Sequence, residues 1–330
     1  MIIDIHVHLA GTGSASSCFL SRRLRRTATF WYLRYMAKHL TRPLSDESMR
    51  ALLVGAIKES KLVDKAVLLP LDMVHDEQGQ ARPERTHLFV PNDYCAAIAR
   101  DEDKVLFGAS VHPNRPDALE ELERVASLGA VLVKWIPSSL AVDPANTRYI
   151  PYYRKLAELG LPLLCHAGPE HAIPPGADTR AQRRTAKTFD HPQGLHLPLE
   201  QGTTVIAAHC SLPIYPWERD DTDAFFQLML RHDNCFADIS ALFLPSPYRL
   251  RRVRRVLDEL PHERLVLGSD YPLPVSTRMI RGRAPADPQS LGLAKKASNN
   301  LDRTVLMARA MGFSESVLSN AARVLRLNHA

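Results

Sequence analysis

Polar side chains of the kind that bind metal ions recur along this chain, each near the end of a short apolar segment. The first segment, MIIDIHVHLA, places His6 and His8 two residues apart. Side chains on a strand alternate between its two faces, so we expect both imidazoles and Asp4 on one face and the intervening apolar residues on the other. Two imidazoles and a carboxylate are therefore predicted to point into the same space.

Four later apolar segments end in a similar way. Lys134 lies in VKWIP, His166 in LLCHAG, His209 in IAAHCS and Asp270 in VLGSDYP. Imidazole nitrogens and carboxylate oxygens in a partly closed site suit Zn²⁺ or a similar divalent ion, and a catalytic ion keeps one position open for water. A bound metal lowers the pKa of that water to about 7, and a carboxylate beside it can accept the proton.

Several other polar residues are interpreted as structural. A single buried histidine is more often hydrogen-bonded than metal-bound, so His112 in SVHP is not predicted to be a ligand. Asp4 lies deeper than His6 and is expected to accept hydrogen bonds. Asp190 and Ser240 lie within reach of the same space, but neither is predicted to belong to the site.

The segments between these residues predict the fold. Eight short, nearly continuous apolar strands alternate with amphipathic helices, a pattern typical of a parallel sheet. We predict one (βα)8 TIM barrel, α/β in class, that spans residues 1–330 as a single domain. A doubly wound open sheet is the alternative, but no GxGxxG follows any strand and no P-loop is present. In a closed barrel the strand ends converge, which brings distant residues together.

Two connections are much longer than the usual ~2–6 residues. They span residues 10–45, after the first strand, and 167–200, after the fifth. Residues 10–45 are predicted to form a lid, hinged at the small-residue stretch AGTGSASS, that selects an anionic substrate. The alternative is a surface helix at a subunit contact. The prediction depends on basic and aromatic side chains, namely Arg22, Arg23, Arg25, Arg26, Arg34, Phe30, Trp31, Tyr32 and Tyr35.

Composition excludes several classes of protein. The net charge of +6 comes partly from basic clusters at residues 21–40 and 248–260. We interpret the second cluster as a solvated helix face, and we predict neither cluster to be a nucleic-acid or membrane site. The five scattered cysteines indicate neither a disulfide framework nor a zinc finger, and they favour the reducing cytoplasm. No stretch approaches ~18 apolar residues, so no membrane span is predicted. A homo-oligomer is compatible with the sequence.

The motifs DIHVH, VKWIP, LLCHAG, VIAAHCS, VLGSDYP and SNAARVLRL together resemble the amidohydrolase superfamily. The most similar branch is the amidohydrolase-2 group, which includes aminocarboxymuconate-semialdehyde decarboxylase and several lactonases. The resemblance implies that His6, His8, His166 and Asp270 bind the metal and that His209 is a catalytic acid or base. Asp270 would also contact the nucleophilic water.

Lys134 has three possible roles. In binuclear relatives a carboxylated lysine at this strand end bridges two metals, whereas the amidohydrolase-2 group usually binds one. Lys134 could instead contact a substrate carboxylate as part of the catalytic site, or form a structural salt link. We expect one divalent ion, Zn²⁺ by preference, with a second if Lys134 is carboxylated.

The resemblance implies a hydrolase of an ester, lactone or amide, with a nonoxidative decarboxylase of an unsaturated or aromatic acid as the alternative. Decarboxylases of hydroxybenzoates often replace the first histidine of the HxH pair, whereas this chain keeps both, which favours hydrolysis. Metal-dependent DNases of the TatD kind carry a glutamate where this chain has Lys134. A barrel that only binds its ligand is disfavoured by the intact ligand set.

Overall fold

The eight predicted apolar segments form eight parallel strands in the computed structural model, which describes residues 1–36, 44–280 and 286–327. Each strand pairs with the next along the chain, and backbone hydrogen bonds such as Ile5 N to Leu267 O (3.1 Å) and Asp270 N to His6 O (2.9 Å) join the last strand to the first. The predicted (βα)8 barrel is confirmed. The strands are β1 Ile3–His8, β2 Lys65–Leu69, β3 Val105–Ala109, β4 Leu132–Trp135, β5 Leu163–Cys165, β6 Val205–Ala207, β7 Cys235–Asp238 and β8 Leu265–Val266.

Helices surround the barrel and connect its strands. No helix in the described part of the chain is long and apolar enough to cross a membrane. The helices are α1 Ala28–Met36, α2 Asp46–Glu59, α3 Asn92–Asp101, α4 Ala118–Ser127, α5 Pro137–Leu140, α6 Ile150–Leu159, α7 Arg180–Ala186, α8 His196–Glu200, α9 Thr222–Arg231, α10 Pro247–Glu259, α11 Pro288–Lys296, α12 Asn300–Met311, α13 Glu315–Ser319 and α14 Ala321–Val324.

The face assignment predicted for β1 is wrong in its first half. Ile3 and Ile5 pack in the cluster that fills the barrel interior, whereas Val7 packs in the cluster between the strands and the helices. The pairing of β1 with β2 shifts register between Asp4 and Val7, as a β-bulge does, and the shift changes the face on which the side chains lie. Strict alternation therefore does not extend through this strand.

The interior cluster fills the half of the barrel below the site. It combines inward side chains of the strands, including Leu132, Leu164 and Phe236, with Ala321 and Val324 of α14, which cover the N-terminal end of the barrel. The interior is a packed core, as in other barrels of this type, and it leaves only the opposite end open for chemistry.

The connection after β1 is more ordered than its small residues suggest. The predicted hinge AGTGSASS is held by the carboxylate of Asp46, which accepts hydrogen bonds from Gly13 N (3.0 Å), Ala15 N (2.8 Å) and Ser16 Oγ (2.6 Å). Phe19–Leu20 then pairs antiparallel with Leu88–Phe89, and α1 follows. Residues 37–43 of the predicted lid lie outside the described residues.

Gly108 of β3 lies where β2 approaches most closely. A Cβ atom at this position would lie 2.8 Å from Leu68 O and 2.9 Å from Leu69 Cδ2. Because backbone cannot move aside as a flexible side chain can, Gly108→Ala should lower the free energy of unfolding by about 1–3 kcal/mol, measured by urea denaturation. Gly55→Ala in α2 is the matched control, since no heavy atom lies within 4 Å of its Cβ position. It should raise stability by about 0.5–1 kcal/mol. Equal effects of the two substitutions would contradict the steric role assigned to Gly108.

Candidate metal centre

The predicted site residues lie at the C-terminal ends of the barrel strands, above the apolar interior. Lys134 and His166 each follow an inward apolar residue by two positions, after Leu132 and Leu164 respectively. Because side chains two apart on a strand share a face, the same strands supply both the interior core and the polar cup above it.

Three polar groups converge on Nε2 of the His6 ring. Its Nε2 lies 3.2 Å from His8 Nε2, 3.1 Å from Lys134 Nζ and 3.5 Å from Asp270 Oδ1. His8 Nε2 is also 3.1 Å from Asp270 Oδ1. His6, Lys134 and Asp270 are buried, and His8 is the partly exposed member.

Asp238, at the end of β7, anchors this arrangement from below. Its Oδ2 accepts a hydrogen bond from His6 Nδ1 (2.7 Å), and its Oδ1 accepts from the backbone amide nitrogens of His209 (2.8 Å) and Ser240 (3.1 Å) and from the Ser240 hydroxyl. Burial alone would raise the pKa of Asp238, but His6 and the other donors hold it well below its usual range. Because Asp238 accepts from Nδ1, His6 Nε2 is left unprotonated toward the cup.

Sequence reasoning missed Asp238, although a signal for it was present. In NCFADIS, Asp238 follows Phe236 by two residues, the same spacing that relates Lys134 to Leu132. Phe236 is part of the interior cluster, so Asp238 occupies the next inward position of its strand. Ser240, which the sequence places within reach of the site, bridges Asp238 and His209.

His209 follows β6 and lies over the cup. Its Nδ1 contacts the Ser240 carbonyl oxygen (3.2 Å) and hydroxyl (2.7 Å), and a carbonyl can only accept, so Nδ1 carries the proton. His209 Nε2 is 3.9 Å from Asp270 Oδ2. Burial holds the pKa of His209 well below its ordinary value, against the opposing charge of Asp270. The imidazole is therefore neutral at pH 7, with a free nitrogen on the side of Asp270.

His166 stands beside His209, with ring centroids 5.0 Å apart. Its Nδ1 lies 3.3 Å from Glu170 Oε2, and its buried Nε2 has no hydrogen-bond partner in the described part of the chain. Burial lowers the pKa of His166 to about 4, with the charge of Glu170 acting in the opposite direction. A buried, unprotonated ring nitrogen without a partner is suited to binding a metal ion.

The backbone is strained where it carries these groups. His209, Cys210 and Ser211 are consecutive non-glycine residues with φ of 58°, 50° and 56°, and Asp270 has φ of 62°. Each such residue costs roughly 1–3 kcal/mol and persists only where surrounding contacts enforce it. Strain of this kind concentrates at functional sites, which supports the placement of the site at these strand ends.

The donor set fits a divalent metal ion. Ligand atoms of His6, His209 and Asp270 all lie within 4.8 Å of one another, and His8 contacts two of these residues. The predicted ligands were His6, His8, His166 and Asp270, with His209 as the catalytic acid or base. The compact group thus includes His209, whereas His166 lies at its margin with an unpartnered nitrogen. The division between ligand and catalytic base remains a prediction.

Lys134 is placed beside a predicted ligand rather than beside the substrate space. It is 1% exposed, contacts the ring of His6 and is not among the residues that line the adjoining cavity. Burial lowers the pKa of its amine, while the charges of Asp238 and Asp270 act in the opposite direction. This placement suits the metal side of the cup better than direct substrate contact.

A cavity of about 460 Å³ opens above the cup. His8, His166, His209 and Asp270 line its base. The connection after β1 contributes apolar side chains to its walls, and a hydrogen bond from Thr29 Oγ1 to His171 O (3.0 Å) joins α1 to the connection after β5. The wall residues from residues 10–45 are Ala10, Leu20, Leu24, Ala28, Thr29, Phe30, Tyr32 and Leu44.

At most one or two of the arginines in residues 10–45 are expected to face the substrate, and none of them lines the cavity. Arg22, Arg23, Arg25 and Arg26 are exposed, Arg34 is partly buried, and none of the five lines the cavity. On a short helical segment the apolar residues take the side that faces the protein, so the arginines turn to solvent. Closure of residues 10–45 as a lid remains a prediction.

The residues interpreted as structural are satisfied by local contacts. Asp4 Oδ1 accepts from Ser269 N (2.9 Å), and His112 Nε2 contacts Leu140 O (2.9 Å). Asp190 Oδ1 accepts from Ser138 N (2.9 Å) in the connection after β5. None of these three residues lines the cavity.

The carboxylate of Asp238 predicts a measurable effect on metal binding. Asp238→Asn removes the negative charge behind His6 and exchanges an acceptor for a donor, so affinity for Zn²⁺ should fall about 10- to 100-fold. Competition with a chromophoric chelator measures this affinity, and circular dichroism checks the fold. Asp233→Asn, at an exposed position shortly before β7, is the control. Unchanged affinity in Asp238→Asn would contradict the role assigned here.

Comparisons with known proteins agree with this architecture. A family model described as Amidohydrolase matches residues 3–291. No curated protein matches the chain at a significant level. A solved structure of a probable 2-pyrone-4,6-dicarboxylic acid hydrolase from Acinetobacter baumannii, with citric acid bound, is 15% identical at a TM-score of 0.58, and 99% of each chain is covered.

Two decarboxylases are also similar in structure. A 2,6-dihydroxybenzoate decarboxylase complexed with 2,6-dihydroxybenzoate is 16% identical at a TM-score of 0.58, and 5-carboxyvanillate decarboxylase from Sphingomonas paucimobilis is 15% identical at 0.52. Both alignments cover 99% of each chain. At such identities these neighbours establish the fold alone, whereas the family model covers most of the sequence. The chain therefore belongs to the amidohydrolase superfamily, in its amidohydrolase-2 group.

Proposed function

We propose that this protein is a metal-dependent hydrolase of an ester, lactone or amide in a small, carboxylate-bearing carbonyl compound. One observation carries the proposal: Asp270 and His209 present two unprotonated acceptors to the same space at the base of the cavity. Burial would raise the pKa of Asp270, but His209, His6 and His8 hold it well below its usual range. Hydrolysis by water begins with removal of a proton, which both groups can accept.

Hydrolysis of this kind also requires a metal ion that activates the water, and the donor atoms of the cup could hold one. His6, His8 and Asp270, together with His166 or His209, would hold one divalent ion, and we infer Zn²⁺ from the nitrogen-rich donors. When bound, the ion polarises a carbonyl group and lowers the pKa of water to about 7.

The protein's own residues then position the reaction. Asp270 takes the proton of the attacking water and returns it to the leaving oxygen or nitrogen of the substrate. His209 Nε2, 3.9 Å from Asp270 Oδ2, is a second acceptor on the same side. The apolar cavity walls exclude bulk water, which strengthens the electrostatic interactions at the site.

Decarboxylation is the second candidate, because similar structures include decarboxylases as well as a hydrolase. The chain keeps both histidines of the HxH pair, His6 and His8, whereas decarboxylases of hydroxybenzoates often replace the first, and this difference favours hydrolysis.

We also infer that the protein works in a reducing compartment such as the cytoplasm. All five cysteines are buried as free thiols. Cys165 and Cys210 belong to the cluster between strands and helices, where thiols pack as small apolar groups.

Metal content separates ligands from the catalytic base. His6→Ala and His166→Ala should each lose the bound ion and all activity, since each removes a predicted ligand. His209→Asn should abolish turnover yet retain one ion. Atomic emission on protein purified without chelator gives the metal per chain, and His196→Ala, on partly exposed α8, is the control. A full equivalent of metal in His6→Ala would contradict the site, and metal loss in His209→Asn would place His209 among the ligands.

Product analysis distinguishes the two reactions. The parent enzyme is incubated with aryl esters and lactones that carry a carboxylate, and separately with 2,6-dihydroxybenzoate. We expect proton release from the esters or lactones, observed by pH-stat and lost in Asp270→Asn, and no CO2 from the benzoate. CO2 release without ester or lactone hydrolysis would overturn the hydrolase in favour of the decarboxylase.

A further inference from the structure

One arginine of the basic helix α10 faces inward. Arg249 is 1% exposed, yet it lines the cavity together with Asp270 and His209. Its Nε and Nη2 are buried and have no hydrogen-bond partner in the described ranges. Other arginines of α10 behave differently: Arg252 pairs with Asp220, and Arg255 pairs with Glu259. Among the arginines of α10, Arg249 is thus the one that lines the cavity, and two of its guanidinium nitrogens lack a hydrogen-bond partner in the described residues.

An unpaired buried cation is unfavourable, so its retention calls for an explanation. Burial lowers the pKa of Arg249 to about 10, with the charge of Asp270 acting in the opposite direction. The guanidinium therefore remains charged at neutral pH. Its five donors in a rigid fork match the geometry of a carboxylate.

The nearby carboxylates are engaged elsewhere. Asp270 contacts His8 and lies near His209. Glu218 accepts hydrogen bonds from Ile214 N (2.7 Å) and Tyr215 N (3.1 Å). The other oxygen of Glu218, Oε1, lies 2.5 Å from His171 Nε2, and neither carboxylate forms a hydrogen bond with Arg249 in the described part of the chain.

The remainder of the cavity lining limits the charge of the ligand. Among the described lining residues, Arg249 is the one lysine or arginine, and Glu170 and Asp270 are acidic. Apart from the imidazoles of the metal cup and of His171, a second anionic group would therefore meet mainly apolar walls or the two carboxylates. Phosphate, which carries nearly two charges at neutral pH, is matched less well than a carboxylate by one guanidinium.

We propose that Arg249 binds the single carboxylate of the substrate, and that the substrate is a monocarboxylic acid derivative with an apolar body. The inference rests on the proposed function, whose substrate class it narrows. Arg249 anchors the carboxylate, walls such as Leu24, Phe30 and Leu244 contact the body, and the reacting carbonyl reaches the metal cup. The proposed ion would engage the reacting carbonyl, and the described lining offers no second lysine or arginine, so a dicarboxylic acid should bind less tightly than a monocarboxylic acid.

The binding of small aromatic acids and of a neutral analogue tests the role of Arg249 without any need for turnover. Isothermal titration of the purified holoenzyme compares benzoate with neutral benzamide, with isophthalate and with phenyl phosphate. We expect benzoate to bind most tightly of the four. Arg249→Met should weaken benzoate binding about tenfold or more, equivalent to about 1.4 kcal/mol, and leave benzamide binding unchanged. Arg251→Met, exposed on the same helix, should match the parent.

The thermal stability and the metal content of the Arg249 variants serve as controls for the binding experiment. Removal of an unpaired buried charge should leave the thermal midpoint of Arg249→Met equal to or above that of the parent, whereas a structural arginine would lower it. If Arg249→Met does not fold, Arg249→Lys takes its place, since the ammonium lacks the fork and should also bind benzoate more weakly.

Benzoate affinity unchanged in the Arg249 variant, or benzoate binding no tighter than benzamide, isophthalate or phenyl phosphate, would overturn the proposal. Metal per chain should equal that of the parent in every Arg249 variant. Failure of the proposed hydrolase would appear separately, as a lack of metal or of ester and lactone hydrolysis in the parent.

Discussion

A carboxylate shielded from water must receive hydrogen bonds, and Asp238 receives them from the first strand of the barrel and from the residues that follow the sixth and seventh. Its two oxygens accept from the ring of His6 on β1, from the backbone after β6 and from Ser240 after β7. The same contacts fix the orientation of His6 and hold His209 in its left-handed conformation. The geometry of the cup depends on this carboxylate, because its hydrogen bonds position the imidazoles of both His6 and His209.

Most of the fold could be predicted from the chain because it follows from local patterns. Eight apolar segments with helical connections suffice for a barrel, and histidines at their ends suffice for a converging cup. The register shift in β1 could not be predicted, because it arises from pairing with β2 rather than from the sequence of β1. The rule that residues two apart on a strand share a face could have identified Asp238. No such rule could have identified Arg249, because its helix carries many arginines and only packing decides which one turns inward.

The long connection after β1 shows where composition misleads. Its arginines and aromatic residues suggested a charged lid, yet apolar side chains face the cavity and the arginines face solvent. The arginine that does line the cavity, and that we propose as the carboxylate anchor, is Arg249 of α10. Three parts of the structure thus differ in character. The cup contains the polar donors, the connection after β1 provides apolar walls, and Arg249 is the buried cation that we propose orients the substrate.

The α14 helix has a consequence for how the molecule assembles. Ala321 and Val324 cover the same interior that Ile3 and Ile5 begin, so the core joins segments more than three hundred residues apart. Until α14 docks, the inward side chains of the strands remain exposed to water at the N-terminal end of the barrel. Contacts of such long sequence separation form slowly, because the entropy of closing the chain is lost before they contribute. The nascent barrel therefore exposes apolar interior until α14 has been synthesised and has docked, and chaperone binding before that point would limit aggregation.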